Sequence, residues 1–296
     1  MTTVAAALVA ARAKLPAGEA RLLLGHVLQQ SAAWLLAHDD QVLDEDELLA
    51  FASLVARRAG GEPIAYLVGF REFFGREFEV SSAVLIPRPE TELLIEIALA
   101  KVGACRPAVS THPGFRFAAG ERNSRQAESA AARILDLGTG SGCIAVTLAL
   151  EIPQAQLAAV DASAAALLIA RKNAERLGAH VRFLQSDWFS ALGGERFDLI
   201  VANPPYIAAA DPHLAAGDLR HEPAAALASG ADGLDAIRCI LAAAPAHLAS
   251  GGWLWLEHGY DQAEPVRELL AAAGLADIEQ CRDLAGIIRA SGGRLK

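Results

Sequence analysis

Ile134-Leu135-Asp136-Leu137-Gly138-Thr139-Gly140-Ser141-Gly142 begins as a buried strand, breaks into a glycine-rich turn and leads into an apolar helical segment, Ile144–Ala149. Strand, turn and helix in that order form the repeating unit of parallel sheets. Outward from it the alternation continues. Arg133–Leu137, Leu157–Val160, Val181–Leu184, Phe197–Ala202 and Trp253–Glu257 read as strands separated by helical segments. Ile278–Arg282 and Gly286–Ala290 read as a closing antiparallel hairpin. The expected fold class is therefore α/β, with a doubly wound parallel sheet.

Upstream, residues 1–60 carry apolar residues at helical spacing, Leu22, Leu23 and Val27, then Leu48, Leu49, Leu54 and Val55, with almost nothing of strand character. A small all-helical unit is expected over residues 1–75. Glu77–Val80 and Ala83–Ile86 follow as short aromatic and β-branched runs, the pattern of a hairpin, ending in Pro87-Arg88-Pro89. A helix capped near Thr91 then runs through Leu93, Leu94, Ile97 and Ala98, so that 76–105 is read as hairpin and connecting helix. Between 106 and 130 there is no periodicity, and the mixture of Ser, Pro, Gly, Arg, Gln and Glu reads as a flexible loop. The sheet domain is expected over 131–296.

The 296 residues are 53% hydrophobic and 21% charged, enough for a large core and two domains. A net charge of −9 repels a polyanion, and no Lys/Arg cluster offsets it, so nucleic acid is disfavoured as a partner. Cysteines at 105, 143, 239 and 281 are too scattered for a metal knuckle and too few for a disulfide framework. The eight histidines show no ligand spacing, so no metal is expected. Val4–Ala11 is too short for a signal peptide and its first charges come after it; no apolar stretch approaches the ~20 residues needed to span a bilayer. A monomeric cytoplasmic protein without a membrane partner is expected.

Glycines at 138, 140 and 142 allow close backbone approach to a ligand, and the helix after them offers free N–H groups. The dinucleotide fingerprint would need a third glycine at the position of Cys143, so the spacing leans away from NAD. Asp161 ends the next strand about 20 residues on, where a carboxylate can take both hydroxyls of a ribose; alternatively it caps the helix beginning near Ser163. Asp187-Trp188 ends the third strand, where a carboxylate and an indole suit an adenine, although Trp188 as ordinary core fits too.

Phe197–Ala202 runs straight into Asn203-Pro204-Pro205-Tyr206. Neither proline has an N–H, so the tetrapeptide is extended and offers mainly acceptors. A planar amide or aryl amine is a poor nucleophile, and two acceptors on its N–H bonds would aim its lone pair at an electrophile. Asn203 Oδ1 and the Pro204 carbonyl suit that task, with Tyr206 stacking on the flat group. A simple turn is the alternative reading.

Taken with Pro63-Ile64-Ala65-Tyr66-Leu67-Val68-Gly69-Phe70-Arg71-Glu72-Phe73 and Leu85-Ile86-Pro87-Arg88-Pro89-Glu90-Thr91-Glu92, these motifs resemble the protein-(glutamine-N5) methyltransferases of the HemK/PrmC type. The likeness spans nearly the whole chain apart from about 106–130, where the connector is longer than the family usually has. It implies a five-helix substrate domain joined by a hairpin to a class I, Rossmann-like, seven-stranded methyltransferase domain. It implies S-adenosyl-L-methionine as cofactor, leaving as S-adenosyl-L-homocysteine, with Gly138, Thr139, Gly140, Ser141, Gly142, Asp161, Asp187, Trp188 and Asn203 around it. It implies that Asn203, Pro204, Pro205 and Tyr206 hold the glutamine of the Gly-Gly-Gln motif of class-1 peptide chain release factors. Pro87–Glu92 either lines the cleft or makes a rigid interdomain corner. Competing readings are a glutamine methyltransferase of a ribosomal protein, an adenine-N6 nucleic-acid methyltransferase, and a non-catalytic nucleoside-binding scaffold.

Overall fold

The computed structural model describes residues 1–103 and 131–296; the loop expected at 106–130 lies outside them. Five helices come first, α1 (Val4–Ala11), α2 (Ala17–Leu28), α3 (Ala32–Ala37), α4 (Glu45–Ala59) and α5 (Ile64–Val68). Their starts follow side-chain chemistry. Thr3 and Ser31 cap α1 and α3, and Asp44 with Glu47 closes a reciprocal capping box on α4. Leu23, Leu24, Leu35, Phe51 and Val55 bury between them as a core of their own.

The hairpin differs from expectation. Its strands are β1 (Phe70–Phe73) and β2 (Arg76–Glu79), paired antiparallel, while Ala83–Ile86 forms no strand. The reason lies in the turn: Phe74 and Gly75 both take positive φ, 51° and 72°, as a two-residue hairpin loop demands, and Phe is not a residue that announces such a loop. Ala83–Ile86 is held by other partners. Tyr66 Oη donates to the Val84 carbonyl at 2.6 Å, and the Ile86 N–H donates to Glu222 Oε2 at 2.9 Å.

After a 3-10 turn at Pro89–Thr91 comes α6 (Glu92–Val102). Thr91 sits at its start but does not cap it with its side chain. Then follow β3 (Arg133–Leu137), α7 (Cys143–Glu151), β4 (Gln156–Asp161), α8 (Ala164–Leu177), β5 (Val181–Gln185), β6 (Phe197–Ala202), α9 (Asp235–His247), β7 (Leu248–Glu257), α10 (Ala263–Ala272), β8 (Ala276–Arg282) and β9 (Ile288–Arg294). The seven strands β3–β9 form one sheet in the order β5-β4-β3-β6-β7-β9-β8, parallel except at β9. It is the α/β, Rossmann-like class I sheet, with α6, α7 and α8 buried on one face and α9 and α10 on the other. Among the described residues no helix is long and apolar enough to cross a membrane.

The strand order reverses at β3, whose neighbours are β4 on one side and β6 on the other. Leu137 pairs with Ala202, so Gly138 and Asn203 leave adjacent strands at the same level. Such a switch point opens a crevice at the carboxyl ends of the strands. A further correction concerns β9, expected over 286–290 and found over 288–294. Gly286, at φ 80°, makes the hairpin turn, and Gly292 and Gly293 stay inside the strand because Trp255 and Leu275 fill the space their side chains would need.

A Cβ at Gly292 would meet the Trp255 ring at 2.3 Å, whereas one at Gly194 meets nothing among the described residues within 4 Å. Gly292→Ala should therefore lower stability by about 1–3 kcal/mol, read as a lower urea midpoint. Gly194→Ala should leave that midpoint unchanged, and equal midpoints for both variants would contradict this packing account.

Candidate active site

A cavity of about 320 Å³ opens at the switch point. Gly138, Thr139, Gly140 and Ser141 from the β3 turn, Asp161 after β4, Asp187 and Trp188 after β5, and Asn203, Pro204 and Pro205 after β6 line one side. Ala83–Leu85, Pro87, Arg88 and Thr91 line another, so the Pro87–Glu92 corner also forms part of the wall. Of the twelve residues expected around cofactor and substrate, Gly142 and Tyr206 are off the lining, as are Pro89, Glu90 and Glu92 of the corner.

Gly142 has a packing reason to be glycine. At φ 83° it begins α7, and a Cβ there would press on Ala170 of α8 at 3.1 Å. Gly140 is the opposite case, since an added Cβ meets nothing within 4 Å among the described residues. The turn is fixed from two sides. Asp161 Oδ2 accepts the Gly140 N–H at 2.9 Å and Asp161 Oδ1 accepts the Ser163 N–H at 2.8 Å. Ser163 itself caps α8, so Asp161 is not the helix cap. Buried Asn173 donates to the Ser141 and Glu79 carbonyls, each at 2.9 Å, tying the turn to β2.

Trp188 holds a left-handed backbone, φ 46°, unusual for a bulky residue. The Ser186 hydroxyl donates to its carbonyl at 2.8 Å and accepts the Ala191 N–H at 3.0 Å, which stabilises that turn. The indole stands 3.6 Å from the position a Gly138 Cβ would occupy, so glycine at 138 leaves room between turn and ring.

Asn203 Nδ2 donates to Thr91 Oγ1 at 3.0 Å. Its Oδ1 is buried with no hydrogen-bond partner among the described residues. Tyr206 turns beneath the wall, where its hydroxyl donates to Glu257 Oε1 at 3.2 Å and its carbonyl accepts from Gln262 Nε2 at 2.9 Å. Burial raises the Tyr206 phenol, and the neighbouring Glu257 adds to the effect. At the rim Arg88 pairs with Glu222, whose side chain is fully buried.

Two polar residues here have no role in the sequence pattern, and a third, Thr91, has there only that of a helix cap. Asp136 is fully buried; its Oδ2 accepts from Thr139 Oγ1 at 2.6 Å and from the Ala145 N–H at 3.2 Å. Burial pushes its carboxyl up to about 7. Burial likewise pushes Glu257 up to about 7, against the hydrogen bond from the Tyr206 hydroxyl. Thr91, 2% exposed, is the third. A lone acidic residue closing the apolar run Trp253–Leu256 at the carboxyl end of a strand beside β6 was the available signal for Glu257.

Comparison with known proteins adds to this geometry. Residues 1–69 match the family model of the PrmC N-terminal domain, and 124–232 match that of the methyltransferase small domain. The chain is 51% identical over 282 residues to a release factor glutamine methyltransferase of Bordetella pertussis, covering 95% of this chain and 96% of that one. A relative of the same name from Burkholderia pseudomallei is 52% identical over 289 residues, at 95% and 93% coverage. The one from Escherichia coli is 41% identical over 280 residues, at 94% and 92%. Among solved structures, the hMettl16 catalytic domain in complex with an RNA hairpin superposes with a TM-score of 0.53 at 17% identity, covering 82% of each chain. A methyltransferase from Pyrococcus furiosus does so at 0.50 and 18%, covering 82% of this chain and 98% of that one. These two likenesses speak to the fold alone.

The raised carboxyls have a consequence for stability. Asp136 ordinarily titrates at 3.8 and Glu257 at 4.5, and both stand at about 7 in the folded chain. The folded state thus holds protons that the unfolded chain releases, so stability falls as pH rises from about 4 to about 7. Asp232, held at about 2 by Arg238, acts in the opposite sense below this window, and His258, whose imidazole burial holds below its ordinary 6.5, opposes part of the fall within it. Urea midpoints should drop between about pH 4 and about pH 7, and Asp136→Asn, which stays neutral, should show a shallower drop. An identical slope in the variant would mean that Asp136 is already ionised in the folded chain.

Proposed function

The chain belongs to the release factor glutamine methyltransferases, and on that premise we propose that it methylates the side-chain amide nitrogen (N5) of the glutamine in the Gly-Gly-Gln motif of class-1 peptide chain release factors. The observation that carries the reading is Asn203 Oδ1, a buried acceptor without a partner among the described residues, in the cavity wall beside the glycine turn. Buried acceptors are costly to leave unpaired, and an incoming N–H relieves that cost.

The residues present fit S-adenosyl-L-methionine. Gly140 leaves open space beside the turn, Asp161 is fixed at the end of β4, and Trp188 stands across from Gly138. When bound, the cofactor supplies an electrophilic methyl on a sulfonium and departs as S-adenosyl-L-homocysteine. Of the cavity-lining residues, Asp161 would accept the ribose hydroxyls, Asp187 would take the adenine amino group and Trp188 would pack on the base. Asn203 Oδ1 and the Pro204 carbonyl accept the two amide protons of the glutamine, which directs its lone pair away from them. Pro205 walls the target. Tyr206, whose ring lies off the lining, anchors the far end of the tetrapeptide instead of stacking on the substrate. The amide becomes acidic as its nitrogen gains the methyl group, so its proton passes to water without a strong general base.

In this reading residues 1–75 recognise the substrate, 76–105 connect, and 131–296 carry the chemistry. The protein acts as a cytoplasmic monomer on a protein partner, with no direct contact to nucleic acid or membrane.

Methyl transfer from labelled cofactor is measured with release factor, ribosomal protein and duplex DNA offered in parallel, and the product is mapped by peptide mass spectrometry. Label on the glutamine of the Gly-Gly-Gln loop is expected; label on DNA adenine alone would refute the substrate assignment. Asn203→Ala should reduce kcat roughly 100-fold while cofactor binding weakens much less. Asp161→Ala should first raise the cofactor Kd. Equal losses of turnover and cofactor affinity in both variants would remove this division of roles.

A further inference from the structure

S-Adenosyl-L-methionine has two unlike ends: a nucleoside whose hydroxyls and amino group donate hydrogen bonds, and an amino-acid tail whose carboxylate can only accept them. The cavity has the complementary polarity. Among the described residues of its lining the acidic ones are Asp161 and Asp187, and the one basic residue is Arg88. Along the sheet order β5-β4-β3-β6, Asp187 follows β5 and Asp161 ends β4, so both carboxyls stand at one end. Arg88 belongs to the other end. It precedes the 3-10 turn Pro89–Thr91, and Thr91 bonds to Asn203 after β6. A nucleoside held over β5 and β4 leaves for its tail the part of the cavity beside β3 and β6, where Arg88 stands.

Arg88 is also held for such a task. Its Nη2 donates to Glu222 Oε1, and Glu222 Oε2 accepts the Ile86 N–H at 2.9 Å. The Glu222 side chain is fully buried, and the segment that carries it is tied to the helical unit through Asp218 with Arg58 and Arg220 with the Gly60 carbonyl. The anchor is therefore fixed, and little freedom of the guanidinium remains to be lost when a ligand arrives. Nε and Nη1 of Arg88 have no hydrogen-bond partner among the described residues. A guanidinium carries five N–H donors in a rigid fork, enough to serve two carboxylates at once. A salt bridge that only braced the corner could be satisfied beneath the wall, as Glu222 is; the Arg88 side chain instead stays 31% exposed and forms part of the cavity surface.

We propose that Arg88, oriented by the buried Glu222, recognises the carboxylate of the cofactor's amino-acid tail, so that the cavity selects its cofactor by charge at both ends. The inference rests on the reading of the cavity as an S-adenosyl-L-methionine site. Arg88 takes part in no bond that forms or breaks. Its contribution is to affinity, and to where the tail lies relative to Asn203.

The test is calorimetric binding to the full chain of S-adenosyl-L-homocysteine and of its decarboxylated analogue, which keeps the adenosine, the sulfur and the ammonium and lacks the carboxylate. The parent should bind the first at least about tenfold more tightly, as a charge-assisted pair allows. In Arg88→Met that preference should shrink to about twofold or less, while the decarboxylated ligand binds within about twofold of its parent affinity. Arg88→Lys, which keeps the charge and loses the fork, should retain part of the preference. Asp161→Ala should weaken both ligands alike and leave the preference standing. Should the methionine variant not fold because Glu222 is left buried without its cation, Arg88→Met combined with Glu222→Gln carries the same comparison. A preference unchanged in Arg88→Met overturns the proposal; a KM for release factor that rises at the same time would give the guanidinium to the protein substrate instead. A parent that binds both ligands equally also overturns it and leaves the cofactor reading intact, whereas a parent that binds neither overturns both.

Discussion

The pairing of β3 with β6 is the constraint on which the site depends. Leu137 and Ala202 are partners in register, and each strand ends one residue later in a segment with special backbone demands, glycines on one side and two prolines on the other. A slip of one residue would turn every side chain of a strand to the opposite face. Ile134, Leu199 and Val201 bury on one face while Leu135, Leu137, Ile200 and Ala202 bury on the other, so both faces resist such a slip. Hydrophobic register therefore places Gly138 beside Asn203 before any polar contact is made.

Polar contacts then refine what the sheet has placed, and they come from distant parts of the chain. Thr91 precedes β3 by some forty residues and Glu257 follows Asn203 by more than fifty, yet both close on one tetrapeptide. The segment after that tetrapeptide reaches the other way. Asp218 pairs with Arg58 of α4 at 2.7 Å, Arg220 donates to the Gly60 carbonyl at 2.6 Å, and Glu222 holds Arg88 and the Ile86 N–H. One stretch, 218–222, thereby connects the helical unit with the rim of the cavity.

What the sequence made legible follows from how local each signal is. β3 and β6 were readable residue for residue because buried runs bounded by Gly or Pro leave little choice. Asp161 was readable because it ends such a run. The hairpin was misplaced because its turn, Phe74-Gly75, lacks the usual residues and because Ala83–Ile86, though apolar and branched, bonds to Tyr66 and Glu222 instead of to a strand. The role of Thr91 was hidden for the same reason: at a helix start its hydroxyl looks like a cap, and only tertiary structure shows it turned toward Asn203. Glu257 and Tyr206 meet through folding alone, and no spacing in the chain encodes their contact.

The placement of β9 between β7 and β8 also bears on the order in which the protein is assembled. β8 reaches the sheet only through β9, and Glu257 lies opposite Ala290 on that strand. As the chain emerges during synthesis, the parallel strands can associate in turn, while the outer edge of β7 stays open until residues beyond 288 have been made and have folded back. The glycine turn and the tetrapeptide thus belong to the part of the chain that can form early. The strand carrying Glu257 is enclosed by the part that forms last, so a nascent or C-terminally shortened chain would hold the pieces of a binding cleft while one wall remained an unpaired strand edge.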